Sequence, residues 1–403
     1  MKVYLVKRYL KTSVSLIVFI IFTLLVIMYL PCEIYNFQPP QKFSGNFLYN
    51  PYKDLSADWQ KANFHAHSIA WNNVTNGKQP AQEIIDAYKQ KGYDYSSVSN
   101  YEKIAKEDAE PNAVNVYEHG YSIHKVHQLV IMPQQVYYSD FPLWQFTSSK
   151  QFVINKLSNN AKAVAIAHPL LKHSYSDDDL RKMSGYNLME VLNHSGNASC
   201  KWDVALSAGK PVWIIGDDDT HDILDTTQTF KNWTMINCAA QNKDSLIRHL
   251  VNGNAYAVNG ANAFNDNKLT NVEVDGMQVL LRLQNKADSI KLIGQNAVVR
   301  KILYNADEMG YTFLSSDTYI RAVVYNRHST MYFNPFVRCN TSKQPQNFLT
   351  ATINTADTIL YRTCLISCWL TLLTFLNLAE VKYTIGLLKN KRRKKKYALL
   401  NAE

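Results

Sequence analysis

Asn63-Phe64-His65-Ala66-His67-Ser68 is the stretch from which both the fold and the chemistry of this chain can be read. It closes a short run, residues 62–65, with the composition of a β-strand, and two imidazoles two residues apart on extended chain point to the same side. Two more strings repeat the arrangement. Ala167-His168-Pro169 follows the apolar run 163–167, and Gly216-Asp217-Asp218-Asp219-Thr220-His221-Asp222 follows 211–215. Imidazole and carboxylate are the natural ligands of zinc, manganese or iron at hydrolytic centres. A lone His-x-His is common by chance, whereas three ligand-bearing strings in series, each ending a strand, are not. The residues point to a metal site.

Working outward, strand-like runs at 93–98, 113–117, 128–132, 188–192 and 233–236 alternate with helical stretches. Residues 80–91 open on Pro80 and stop at Gly92, and residues 177–183 open on three aspartates that suit a helix N-terminus. Repeated βα units predict an α/β fold with a mainly parallel sheet, open or closed into a barrel. His65, His67, Glu118, His168, Asn193, Asp219 and His221 all fall at or just beyond the C-terminal end of a strand. In a βα-barrel those ends share the face that carries the chemistry. From about residue 261 the pattern becomes short runs at 272–274, 279–283, 289–293 and 319–325 with turn residues between. That predicts a small antiparallel β-sandwich, with His328 but no ligand cluster.

The chain has 403 residues, 46% apolar and 19% charged, enough for two globular bodies. Its net charge of +10 resides wholly in the tails: four bases and no acid in residues 1–11, eight bases against two acids in 380–403. The stretch between is neutral, which argues against a nucleic-acid-binding face. Residues 13–30 carry no charge and are long enough to span a bilayer. Tyr29-Leu30-Pro31-Cys32-Glu33 suits neither signal-peptide nor lipoprotein cleavage, so an uncleaved anchor is expected. Residues 358–378 form a second apolar segment interrupted by Arg362, read as a span or as an interfacial helix. Bases beside the outer end of each segment predict a cell-membrane protein with both termini cytoplasmic and the body outside the cytoplasm. The expected order is basic tail and anchor 1–34, linker 35–60, metallohydrolase barrel 61–260, β-sandwich 261–348, probable transmembrane helix 356–380 and basic tail 381–403. Four cysteines outside the apolar segments make no disulfide framework and have no metal-ligand spacing.

The order His-x-His, Glu, His, Ala-His-Pro, Glu-x-x-Asn, Asp-Asp-x-His resembles the PHP (polymerase and histidinol phosphatase) superfamily of metal-dependent phosphoesterases over about residues 51–260. Leu188-Met-Glu190-Val-Leu-Asn193 and Val212-Trp-Ile-Ile-Gly-Asp-Asp-Asp-Thr-His221-Asp222 are similar to its amidohydrolase-like, often exported branch. The resemblance implies a distorted seven-stranded βα-barrel followed by a β-domain, with metals at the strands' C-terminal ends. It assigns His65, His67, Glu118 and Asp219 to one ion and Glu118, His127 and His168 to a second, Glu118 bridging. His124 competes with His127, and the strand-like run that follows favours His127. The family's third-metal ligands are absent: Asn100-Tyr101 stands where Asp-His is usual and Asn76-Gly77 where Asp or His is usual, leaving His221. Two divalent ions (Zn, Mn or Fe) are therefore implied rather than three, supplying a bridged hydroxide to an ester, most naturally a phosphate ester.

His221 is then a candidate catalytic group beside Asp219, as proton or hydrogen-bond donor, or else a residue orienting Asp219. Glu190, Asn193 and Tyr101 are candidates for positioning ligands or substrate, with strand capping the plain alternative for Glu190 and Asn193. Asp217 and Asp218 support the ligands or face solvent. No Gly-x-Ser-x-Gly, glycine-rich phosphate loop, Rossmann fingerprint or His-Glu-x-x-His occurs. The expected function is a membrane-anchored extracytoplasmic metal-dependent phosphoesterase acting on a small or envelope-derived ester. The alternatives are an ester or amide hydrolase on the same metals, or a catalytically silent binder of envelope glycan or lipid headgroups.

Overall fold

The computed structural model describes residues 2–105, 113–238, 242–341, 343–345 and 350–400. The chain divides into two compact units, one of residues 35–352 and one made from residues 1–34 with 353–403.

In the larger unit, apolar runs form strands that are buried on both faces, as in Leu188–Asn193, where all six residues are inside. One sheet has the order Trp213–Gly216, Leu188–Asn193, Ala161–Ile166, Gln128–Pro133, Val116–His119. A second runs Leu269–Asp275, Gln278–Gly294, Tyr319–Tyr325, Ser329–Phe333, Ala255–Gly260, Asn232–Asn237, Trp59–Asn63, Tyr95–Ser96. Isolated parallel bridges Ser96–Ala113, Tyr101–Glu118 and Ala66–Thr220 tie residues of the first sheet's ends to those of the second. The helix Ala81–Gln90 buries Ala81, Ile84, Ile85 and Tyr88, one face at helical spacing, and stops at Gly92 with φ +75°. Asp177–Lys182 opens on a capping box between Ser176 and Asp179.

The fold is mixed α/β. Its named strands pair in two ladders rather than in one continuous seven-stranded ring, and the ladders' ends are linked only by the isolated bridges and by backbone bonds such as Asp219 N–H to His65 O at 2.9 Å and His67 N–H to Thr220 O at 2.8 Å. The sheet is also less parallel than expected: Gln128–Pro133 runs antiparallel to both Val116–His119 and Ala161–Ile166. The first of these has a plain cause, since residues 120–127 form a connection too short for a parallel crossover of a dozen or more residues. Finally, the antiparallel strands after residue 261 do not pair only among themselves. Ser329–Phe333 continues the ladder onto Ala255–Gly260, so they extend the sheet that holds Trp59–Asn63.

The smaller unit pairs helix Lys2–Tyr29 with helix Thr355–Leu400. Trp369 Nε1 donates to Thr23 Oγ1 at 2.9 Å, and its ring lies 5.9 Å from that of Phe19. Arg362 Nε donates to Leu30 O and Nη2 to Pro31 O, both at 3.0 Å, so the charge that interrupts the second apolar segment satisfies carbonyls at the end of the first. Residues Thr355–Leu376 make one helix long and apolar enough to cross a membrane, with mean hydropathy 1.7; Ser13–Tyr29 is a shorter apolar helix.

Candidate metal centre

Strand alternation brings His65 and His67 to one side beyond Trp59–Asn63, and the loop after Trp213–Gly216 delivers Asp219 against them. Three consecutive aspartates divide that task. Asp217 Oδ1 accepts from Phe64 N at 2.6 Å and ties the loop to the histidine-bearing chain. Asp218 accepts from Tyr88 Oη, Phe230 N, Lys231 N and Asn232 N at 2.7–2.9 Å, and burial lifts its carboxyl to about 6. Both are fully buried, so the solvent-facing option is corrected. Asp219 is left to point at the imidazoles, with its N–H on His65 O at 2.9 Å.

The atoms His65 Nε2, His67 Nε2, Glu118 Oε2 and Asp219 Oδ1 converge. His65 Nε2 is 3.2 Å from His67 Nε2, 3.4 Å from Glu118 Oε2 and 3.1 Å from Asp219 Oδ1; His67 Nε2 is 3.1 and 3.2 Å from the two oxygens. Four ligands ~2.0–2.1 Å from a zinc-like ion define a tetrahedron with edges of roughly 3.3 Å. The five distances fit that figure. Glu118 Oε2 and Asp219 Oδ1 are buried without a hydrogen-bond donor, as expected of oxygens kept for a cation.

The other oxygen, Glu118 Oε1, lies 2.5 Å from His127 Nδ1 and 2.9 Å from His168 Nε2. One carboxylate thus belongs to two groups able to hold a cation, with one oxygen facing each. His124 is exposed on the hairpin, away from this group. His168 and Asp219 adopt φ of +26° and +53°, a left-handed conformation costly for residues with a Cβ. His168 is held there by its N–H on Glu190 Oε2 at 2.7 Å. Glu190 Oε1 meets His65 Nδ1 at 2.9 Å, so this buried carboxylate orients one ligand of each group.

Burial opposes charge on His65, but Asp219, Glu190 and Glu118 outweigh it and raise the imidazole well above its ordinary range. His127 is held low by burial, which outweighs Glu118, with His168 and Lys125 adding to the effect. Burial pushes Glu118 up, and the imidazoles around it more than reverse this.

His67 is sandwiched, with Tyr101 stacked at 4.5 Å and His221 at 4.4 Å. Burial, with the charges of Glu118 and Asp219 nearby, pushes the Tyr101 phenol well above its ordinary range. His221 Nε2 sits 3.5 Å from Asp219 Oδ1, and burial lowers its imidazole to about 3. Asn193 accepts from Ser195 N at 2.8 Å, closing the strand end, while its Nδ2 stays buried without a partner. Asn100 exchanges hydrogen bonds with Ser68, and Asn76 is exposed.

Two groups escape a reading of the sequence. His194 Nδ1 donates to Asp218 O (2.9 Å) and lies 3.8 Å from Asp219; its adjacency to Asn193 is the available signal. His119 turns away from its neighbour Glu118, as alternation dictates, and meets Glu102 at 3.1 Å and Tyr137 O at 3.0 Å. Nothing local in the sequence marks that pairing.

No family model and no curated protein matches the chain. A solved structure from Bacteroides vulgatus, a two-domain protein containing a predicted PHP-like metal-dependent phosphoesterase, is 14% identical, covering 79% of this chain and 100% of its own, with a TM-score of 0.40. A likeness at that level carries no argument about function; the site geometry does.

Proposed function

We propose that this chain is a metal-dependent hydrolase of the PHP type, most naturally a phosphoesterase, anchored in a membrane with its body outside the cytoplasm. The carrying observation is the splitting of Glu118 between two imidazole groups. Divalent ions held by His65, His67, Glu118 and Asp219, and by Glu118, His127 and His168, would supply an activated water and screen phosphoryl charge. The chain's own residues then have defined tasks. Glu190 and the backbone around Asp217 and Asp218 fix the ligands before substrate arrives, so no reorganisation accompanies the reaction. His221 is kept neutral by its surroundings and presents an imidazole beside Asp219, suited to hand a hydrogen bond to the departing oxygen. Tyr101 covers His67 and offers a phenol at the same place.

Anchoring is supported by the apolar helix Thr355–Leu376, by the shorter apolar Ser13–Tyr29 and by basic tails beyond both. The substrate proposed is a small or envelope-derived ester, and nucleic acid is not among the partners proposed.

The test is metal analysis of the purified full-length chain together with turnover of an aryl phosphate. About two transition-metal ions per chain and phosphate release are expected, with both lost in His65→Ala and turnover lost on chelation. Metal without turnover across phosphate, carboxylate-ester and amide panels would replace this reading with a silent binding protein.

A further inference from the structure

The hairpin that joins Glu118 to His127 carries one more charged residue toward the centre. Its path is tightly set: Gly120 has φ +120°, and a Cβ there would lie 2.6 Å from Val126 O and 2.9 Å from the His127 ring. Glu102 Oε1 accepts from Gly120 N at 2.7 Å and braces the turn from outside. Ser122 closes it, its carbonyl accepting from Lys125 N and its hydroxyl from Val126 N, both at 3.0 Å. The turn forces Lys125 to φ +57°, a left-handed conformation unfavourable for a side chain with a Cβ. Lys125 Nζ then lies 5.6 Å from the centroid of the Tyr101 ring. That ring is stacked on His67 and 5.6 Å from the ring of His127, so it touches both ligand groups. Lys125 is half-buried and no carboxylate pairs with it among the described residues.

We propose that Lys125 is the substrate-anion receptor of this centre, its ammonium binding a non-bridging oxygen of a phosphate monoester seated against Tyr101 and the two ligand groups. This rests on the metallohydrolase reading above and deepens it by making a dianionic phosphate, rather than a neutral ester or amide, the group recognised. Charge supports the choice. Two divalent ions beside Glu118, Asp219 and Glu190 leave a centre only weakly positive, and a dianion gains from a further cation on the open side. A neutral ester gains nothing from it. The alternative task for Lys125, a cation–π clasp holding the hairpin on Tyr101, makes a different prediction: it affects stability and leaves anion binding alone.

The experiment compares the metal-loaded full-length chain with Lys125→Met and Lys125→Arg, reading inorganic-phosphate binding by calorimetry, kinetics on an aryl phosphate, metal content and Tm. Loss of one charge-assisted hydrogen bond predicts phosphate binding weaker by about ten- to a hundredfold in Lys125→Met. kcat/KM should fall similarly, mostly through KM, with metal content unchanged and Lys125→Arg recovering most of the loss. Unchanged phosphate affinity in Lys125→Met, with or without a lower Tm, overturns the assignment while leaving the hydrolase intact. A wild-type chain that holds metal but neither binds phosphate nor turns over the aryl ester overturns both.

Discussion

A buried lysine shows how strongly the interior of this chain acts on single side chains. Lys210 is fully buried, its ammonium donates to Lys182 O at a long 3.3 Å, and desolvation lowers it to about 8 from 10.5. Below pH 8 both folded and unfolded chains carry the proton, and folding bears the whole cost of burying the charge. Between pH 8 and 10.5 the folded chain has lost its proton while the unfolded chain keeps it, so stability rises with pH through that window. Urea unfolding of wild type and Lys210→Met should show the substitution stabilising at pH 7, with its advantage shrinking by roughly 3 kcal/mol on reaching pH 10.5. A pH-independent difference would mean that the Lys210 ammonium titrates alike in the folded and unfolded chains and that burial does not lower it. The metal ligands show the other side of residue-scale physics: their types and spacing are legible in sequence because coordination chemistry admits few side chains. His194, Glu102 and the division of labour among Asp217, Asp218 and Asp219 are not, since a hydrogen-bond partner distant in the chain leaves no local mark.

Between elements, the helix Ser199–Ser207 is joined to the strand Tyr319–Tyr325 by a buried ion pair. Arg321 Nε and Nη2 donate to Asp203 Oδ1 and Oδ2 at 2.8 and 2.5 Å, and Tyr319 Oη adds a donor at 2.9 Å. Asp203→Ala leaves a guanidinium buried and unpaired and should cost about 3–5 kcal/mol in denaturant unfolding, whereas Asp203→Leu with Arg321→Met should cost far less. Equal losses in the single and double variants would show that packing, rather than uncompensated charge, dominates there. Element type is largely readable: the helix at 80–91 and the strand at 188–192 are observed as Ala81–Gln90 and Leu188–Asn193. Strand direction around Gln128–Pro133 departs from expectation, although the shortness of residues 120–127 already requires a hairpin. The 17-residue strand Gln278–Gly294 reads in sequence as two pieces, and its register indeed shifts between Arg282 and Ala287.

For the molecule as a whole, the anchoring proposal predicts that the full-length chain stays with membranes after an alkaline carbonate wash and is released by detergent. Release by carbonate alone would reduce the helix pair to a peripheral or soluble element. The tails' charge and the apolar segments follow from composition, and so does the reading of them.

Sequence alone determined which side chains could ligate a cation, that all of them but His127 fall at or beyond strand ends, and where the apolar segments lie, because each depends on residue type and short-range periodicity. Tertiary structure alone decided that Glu118 gives one oxygen to each imidazole group, that Lys125 reaches over Tyr101, and that the strands after residue 261 continue the ladder onto Ala255–Gly260. Those outcomes depend on side-chain rotamers, hairpin closure and strand order, which are settled by packing between segments far apart in the chain and have no counterpart in local pattern.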